Sequence, residues 1–423
     1  MREPGVVRPT SDSGPIRVTI VAPGPVSDTT IGGISNFIRG FVKFKPSDFT
    51  IEIVGVAVGD GSPAREWQRI SIAGHDVLFL PVAHIATARG RHRVPVKARI
   101  VAGMLAGNSH INLEGRVVQL HSLGMQAGLL GRKAPRIRLV HSAPERLGSS
   151  RGESVWRRIG ARTRLDERTH FSGADRVYFV NRETYERQSH RSPLDAGRFR
   201  FLPNGVDTAE FHALTAEMRL AERVRMAEEF AIPANVRWLL YVGRLDPPKD
   251  PHLLVRAFAA ATSHGARNNT QLIVAGEGPL RASTESLAHE LGVADRVRFI
   301  GSAEHPRVPK LMSACDALVV CSVFEGGPTV AFEALAAGLP VIATHVGEIP
   351  RIVRHGETGW IAEQRTPEAL AAGIRWVLED SDPNIAQICA ESMSAYGVAD
   401  VLAPLYEDHR VLAMNAVSRR ART

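Results

Sequence analysis

Glu325 and Glu333 stand eight positions apart on either side of the turn Gly326-Gly327-Pro328-Thr329. The stretch before them, Ala317 to Cys321, is apolar and of strand length. The stretch after them, Val330 to Ala337, reads as a helix closed by Gly338. A strand that breaks at glycines and restarts as a helix leaves free backbone N–H groups and the positive end of the helix dipole at the turn, a setting that favours phosphate. Two glycines let a ligand approach the backbone closely, and Pro328 suits the first helical position. Were the whole segment helical, the two carboxylates would be about 12 Å apart along the axis. That is the reach from a sugar across a diphosphate to a ribose. Glu333 is then placed to accept hydrogen bonds from ribose hydroxyls, and Glu325 from hydroxyls of a sugar. The plainer reading of Glu333 is a surface helix glutamate. Its neighbours Phe332, Ala334, Leu335 and Ala336 are apolar, however, and an unpartnered carboxylate buried among them would be costly.

A second candidate lies upstream. The apolar run Arg237 to Val242 leads directly into Gly243-Arg244-Leu245-Asp246-Pro247-Pro248-Lys249. Arg244 offers a planar fork of donors and Lys249 a compact charge, a pair suited to a diphosphate. A solvated basic turn is the competing reading. Gln271 to Ala275 leads into Gly276-Glu277-Gly278-Pro279, another glycine turn at a strand end. Near the N-terminus Arg17 to Ala22 is followed by a loop and Gly32-Gly33, where backbone can approach a phosphate across a cleft or simply form a loop. His121 follows Val118-Gln119-Leu120 and His141 follows Leu139-Val140. A lone strand-end histidine is more often structural; two of them on adjacent strand ends are candidates for contact with substrate.

These residues need a scaffold that gathers strand ends. Further short apolar runs (Thr50 to Val56, Val77 to Leu80, Arg116 to Leu120, Arg138 to His141, Arg176 to Val180, Val297 to Ile300, Pro340 to Ala343) alternate with helical patterns such as His252 to Ser263 and Leu280 to Leu291. Alternating strands and helices predict an α/β protein with parallel sheets. Such sheets bind ligands beyond the carboxyl ends of their strands. The pattern restarts after Pro203-Asn204-Gly205 and the polar helix Leu214 to Phe230, so the chain of 423 residues divides into two doubly wound halves. The expected organisation is a disordered leader over 1–15, a first domain over 16–205, a second over 206–385, and helices with a basic tail over 386–423.

Composition narrows the classes. The chain is 44% hydrophobic and 23% charged, as soluble globular proteins are. No apolar run reaches transmembrane length, and the Pro- and Ser-rich N-terminus lacks a signal-peptide core, so a cytoplasmic protein is expected. Three cysteines without metal-ligand spacing argue against a disulfide framework. The net charge is +8, and the stretch from Arg89 to Arg168 holds 17 Lys or Arg against 5 Asp or Glu. Such a lobe can attract an anionic membrane face or an anionic substrate, or be an ordinary solvated surface. It lacks interleaved aromatic residues and any recognisable nucleic-acid-binding motif. No Gly-x-Gly-x-x-Gly follows the first strand, which excludes a dehydrogenase pattern.

Together these stretches resemble glycosyltransferase family 4, the retaining enzymes of GT-B fold. Glu325 and Glu333 around Gly326-Gly327-Pro328 match its Glu-x7-Glu signature, and Ala334 to Val341 its continuation. Gly347, Pro350 and His355-Gly356-Glu357-Thr358-Gly359 match the next block. Gly243-Arg244 with Lys249, Gly276 to Pro279, Phe299-Ile300-Gly301, Pro203 to Asp207 with Phe211, and Gly32-Gly33 match further ones. Asp250 and Glu348 stand where the family commonly has glycine, and Asn181 where it commonly has serine.

The resemblance implies two Rossmann-like domains facing across a cleft, with a C-terminal helix crossing back to the first. A nucleotide-sugar would be held by Gly32, Gly33, Gly276, Gly278, Gly326, Gly327, Pro328, Thr329, Val330 and Glu333. Arg244, Lys249 and Glu325 would act at the reacting centre with His121, and His141 and Asn204 are candidate acceptor contacts. The acceptor would be a glycan or a lipid-linked molecule, on the cytoplasmic membrane face if the basic lobe seats there. No cofactor and no essential metal are expected. A nucleotide-sugar 2-epimerase of related architecture, or a non-catalytic sugar-nucleotide sensor, are the alternatives.

Overall fold

The computed structural model describes residues 14–27, 32–59, 66–86, 94–106, 111–122, 124–141, 171, 173–263 and 269–420. The leader, much of the basic stretch from Arg89 to Arg168, and the last three residues lie outside them.

The first sheet comprises β1 (Ile16–Val21), β2 (Phe49–Val58), β3 (Gln68–Ile72), β4 (His75–Ile85), β5 (Arg116–Leu120), β6 (Arg136–Val140), β7 (Arg176–Phe179) and β8 (Phe199–Phe201), in the order β3-β4-β2-β1-β5-β6-β7-β8. All its pairings are parallel except the β3–β4 hairpin. The second sheet is wholly parallel: β9 (Arg237–Val242), β10 (Thr270–Ala275), β11 (Val297–Gly301), β12 (Ala317–Val320), β13 (Val341–Thr344) and β14 (Gly359–Ala362), in the order β11-β10-β9-β12-β13-β14. Each sheet reverses its winding once. The reversal falls between β1 and β5 in the first and between β9 and β12 in the second, and such a switch point is where an open α/β sheet leaves a crevice.

The helices are α1 (Gly33–Lys43), α2 (Val96–Ala106), α3 (Arg182–Arg191), α4 (Ala216–Phe230), α5 (Pro251–Ala261), α6 (Arg281–Glu290), α7 (Val308–Ala314), α8 (Thr329–Ala336), α9 (Ile349–Ile352), α10 (Pro367–Glu379), α11 (Ile385–Ser392) and α12 (Val398–Arg420). Their starts follow local chemistry. Asn181, Thr215, Asp250 and Thr366 each accept a backbone N–H of the first turn, and Pro251 and Pro367 open their helices. Pro328, expected at the first helical position, stands one residue earlier as the N-cap of α8, with φ −73° and ψ 92°. Lacking a side-chain acceptor it caps nothing, so α8 begins with its dipole end uncovered.

Apolar cores line both faces of each sheet. Trp238, Leu240, Leu318 and Val341 pack beneath α8 on one face of the second sheet. Leu239, Val319 and Ile342 pack against α5 and α10 on the other. Helix α12 crosses back to the first half, where Leu402, Leu405 and Tyr406 join the core of Val18, Ile20 and Phe41. Polar ties fix the crossing: Tyr406 Oη donates to the Phe41 carbonyl (2.8 Å), Tyr178 Oη to Asp408 Oδ2 (2.8 Å), and Arg410 forks Asp48 at 3.0 Å.

Candidate active site

At the second switch point β9 delivers Arg244 and Lys249, and β12 delivers Glu325. Lys249 and Glu325 form an ion pair, and Ser322 Oγ donates to the same carboxylate oxygen at 2.6 Å. Glu325 is 8% exposed, so the pair sits in a cradle rather than on the surface. The cradle is braced from below. Val323 N–H donates to the Pro248 carbonyl (2.8 Å), Thr344 Oγ1 to the Ser322 carbonyl (2.8 Å), and Cys321 Sγ lies 3.1 Å from the Lys249 carbonyl. Burial pushes the Cys321 thiol up to about 12, which keeps it a neutral brace. Arg244 differs: its side chain is 76% exposed and, among the described residues, pairs with Asp246 Oδ2 at 3.2 Å. It is a cation at the rim of the cradle.

The glycines of Gly276-Glu277-Gly278 serve a close packing of loops. A Cβ at Gly276 would lie 1.9 Å from the Gly243 carbonyl oxygen, and one at Gly278 would lie 2.2 Å from that of Leu245. Leu245 N–H donates to the Glu277 carbonyl and Leu280 N–H to that of Leu245. Gly276 and Gly278 therefore shape the Arg244 turn. Asp250, where the family commonly has glycine, takes φ +45° and ψ 64°, the left-handed region that glycine enters freely. Its carboxylate caps α5 and pairs with Arg365, which offsets the strain.

Glu333, one turn into α8, is half-buried on the wall of a cavity of about 370 Å³ that also meets Gly33, Asn36, Arg39, Glu210 and His305. Asn36 on α1 hydrogen-bonds the carboxyl, so its partner is supplied across the cleft by the first half. Burial pushes Glu333 up to about 7, against the pull of His305 and Arg39. His305 Nδ1 is 2.9 Å from Glu210 Oε1. Gly32 and Gly33 are exposed at the start of α1, where an added Cβ would meet no described atom within 4 Å.

Three cross-cleft ties escaped the sequence reading. Asn181 Nδ2 donates to the Gly326 carbonyl (3.0 Å), Asn204 Nδ2 to the Gly327 carbonyl (2.8 Å), and Arg182 N–H to Glu348 Oε1 (2.8 Å). Asn204, a candidate acceptor contact, gives one amide N–H to the glycine turn and also lines the cavity. The signal for the other two was their departure from the family pattern, since Asn181 and Glu348 replace commoner residues.

His121 and His141 emerge from the adjacent strands β5 and β6. His121 is 2% exposed, and both ring nitrogens face protein partners, Gln119 at 2.7 Å and His141 at 3.0 Å. In this structure both ring nitrogens of His121 already have protein partners, so contact of the ring nitrogens with a substrate would require one of these partners to give way. Among the described residues no three His, Cys, Asp or Glu side chains cluster as metal ligands, and no helix is long and apolar enough to cross a membrane.

Comparison with known proteins agrees with this architecture. Residues 223–394 match the family model of glycosyl transferases group 1. A D-inositol 3-phosphate glycosyltransferase of Corynebacterium glutamicum is 30% identical over 330 residues, 74% of this chain and 76% of that protein. A GDP-mannose-dependent alpha-(1-6)-phosphatidylinositol monomannoside mannosyltransferase of Mycobacterium tuberculosis is 31% identical over 60% of this chain and 65% of its own length. Among solved structures, sucrose-phosphate synthase from Thermosynechococcus elongatus superposes with a TM-score of 0.73 at 21% identity, covering 94% of this chain and 99% of that one. The fold is GT-B, and the chain belongs to the glycosyl transferases of group 1.

Proposed function

We propose that this chain is a retaining hexosyltransferase of glycosyltransferase family 4, moving a hexosyl group from a UDP- or GDP-sugar to a hydroxyl of a glycan or lipid-linked acceptor in cell-envelope or exopolysaccharide synthesis. The observation that carries the reading is the Lys249–Glu325 pair at the second switch point, beside the uncapped N-terminus of α8. In this reading the donor diphosphate takes over Lys249, draws in the exposed Arg244, and accepts from the first backbone N–H groups of α8. Glu325, released from Lys249, accepts from hydroxyls of the sugar, and Glu333 exchanges Asn36 for the ribose hydroxyls. Gly32-Gly33 closes over the phosphates from the first half.

Transfer follows as a front-face displacement. The bond between the anomeric carbon and the phosphate oxygen breaks, and the acceptor oxygen bonds to the same face of that carbon. The acceptor's proton passes to the leaving phosphate, and configuration is retained. Lys249, Arg244 and the α8 dipole stabilise the charge that grows on the diphosphate. Because cations already surround that position, transfer is expected to persist in EDTA. The two relatives are named for D-inositol 3-phosphate and for phosphatidylinositol monomannoside, which supports D-inositol 3-phosphate as the first acceptor to try.

A thermal-shift screen of UDP-, GDP- and ADP-sugars tests the donor half. One of them should raise the Tm by mass action, and Lys249→Ala should abolish that rise. No shift with any nucleotide-sugar would overturn the proposal.

A further inference from the structure

The two strand-end histidines form an ordered chain with Gln119. Gln119 is fully buried, and its Nε2 lies 2.7 Å from His121 Nε2. His121 Nδ1 lies 3.0 Å from His141 Nε2. The two rings stack at 5.2 Å with 15° between their planes, and Phe37 of α1 sets an edge against both, at 5.5 and 5.3 Å. Parallel pairing of β5 with β6 brings these ends together, and the Phe37 edge leaves the rings little freedom to turn. His141 is half-buried where His121 is buried, and its Nδ1 has no hydrogen-bond partner among the described residues.

The direction of the chain follows from what each group can do. In this structure Gln119 turns its Nε2 rather than its Oε1 toward His121, and an amide nitrogen only donates, so His121 Nε2 accepts. Burial holds both imidazoles neutral, His141 pushed down to about 4 and His121 well below its ordinary value, the latter also by the neighbouring His141 and His409. A neutral ring with Nε2 accepting carries its proton on Nδ1. His121 therefore donates from Nδ1 to His141 Nε2, which in turn leaves the proton of His141 on its Nδ1.

Resting on the proposed reading of this sheet's strand ends as the acceptor side, we infer that His141 presents an Nδ1–H donor to an oxygen of the acceptor, and that Gln119 and His121 are positioning residues that fix its tautomer. The acceptor then needs a hydrogen-bond-accepting oxygen next to its reacting hydroxyl, either a second hydroxyl or a phosphate oxygen.

Tautomers are read by NMR on the full chain labelled with 15N-histidine. Nδ1–H forms are expected for both His121 and His141. Gln119→Glu, which has no amide proton to give, should reverse both to Nε2–H. An Nε2–H form of His141 in the wild type overturns the inference whatever the acceptor is. The second arm is transfer to D-inositol 3-phosphate from the donor that gives the largest thermal shift. His141→Asn keeps an N–H at the Nδ1 position, and its acceptor KM should stay near that of the wild type. His141→Gln moves the N–H to the Nε2 position, and its acceptor KM should rise about tenfold, the worth of one lost hydrogen bond, with donor KM unchanged. Equal acceptor KM in the two variants, at unchanged Tm, overturns the contact. A wild type that transfers nothing to this compound removes it as the acceptor in the proposed function, and the tautomers then decide.

Discussion

At the carboxyl end of the second sheet, Lys249 pairs with Glu325, Arg244 stands exposed at the rim, and Glu333 faces the cleft. At the carboxyl end of the first sheet, two imidazoles pair with each other and with an amide, and none of the three carries a charge. Both ends occupy equivalent places in doubly wound sheets. On the proposed function, the difference follows the ligands that each end would hold. A diphosphate is the same dianion in every nucleotide-sugar, so fixed cations and a helix dipole serve any donor. An acceptor hydroxyl is neutral and must be aimed, which suits a chain of directed hydrogen bonds.

The contrast breaks most sharply at Lys249. Lys249→Ala removes the cation proposed to meet the diphosphate and, among the described residues, leaves Ser322 as the hydrogen-bond partner of the Glu325 carboxylate. Loss of one such electrostatic group costs on the order of 10²–10³-fold in kcat. Glu325→Ala should fall in the same range with donor binding largely kept, because Lys249 remains for the phosphates. Steady-state kinetics on purified variants, with circular dichroism as the fold control, check both. If either variant turns over as fast as the wild type, the charged end is not where the chemistry happens.

The ties between the two ends come next in size. Asn181→Ala and Asn204→Ala each remove one donor from a carbonyl of the Gly326-Gly327 turn. Each is expected to destabilise the protein by about 1 kcal/mol, and together they should raise donor KM, because the turn loses its bracing from the first half. Denaturant unfolding and donor titration measure the two effects. An unchanged donor KM in the double variant would show that the cradle holds its shape without help across the cleft.

How legible each end was follows the same contrast. Glu325, Gly326, Gly327 and Glu333 lie within one local strand–turn–helix, so their spacing carried the geometry. The Arg244–Lys249 turn was equally local. The partnership of Lys249 with Glu325 was not, since it depends on β9 and β12 becoming neighbours at the switch point. Asn181, Asn204 and Glu348 reach across the cleft, and no pattern within a window of sequence encodes such a contact. The histidines were found by their place at strand ends. That His121 would be enclosed and His141 left open depends on Gln119, whose side chain alternation puts on the same side of β5. The antiparallel β3 (Gln68–Ile72) and the three-residue β8 were missed because half-exposed and very short strands lack the apolar run that marked the others.

Glu333 gives an effect of another kind, one spread over pH that joins the two ends. Its carboxyl rises from an ordinary 4.5 to about 7 because the cavity wall buries it. The folded protein therefore holds this proton more tightly than the unfolded chain does. Between pH 4.5 and 7 the group is protonated when folded and ionised when unfolded, so stability falls as pH rises through that window. The slope is at most about 1.4 kcal/mol per pH unit, and it vanishes above pH 7, where both states are ionised. Glu333→Gln removes the titration. Its Tm relative to the wild type should climb from pH 4.5 to 7 and then stay level. Ribose hydroxyls donate to a carboxylate better than to its acid, so donor binding near pH 7 should release a proton in the wild type and none in Glu333→Gln. Calorimetric titration in two buffers of different ionisation enthalpy counts that proton. A wild type that releases none would place the ribose away from Glu333 and leave Asn36 as its lasting partner.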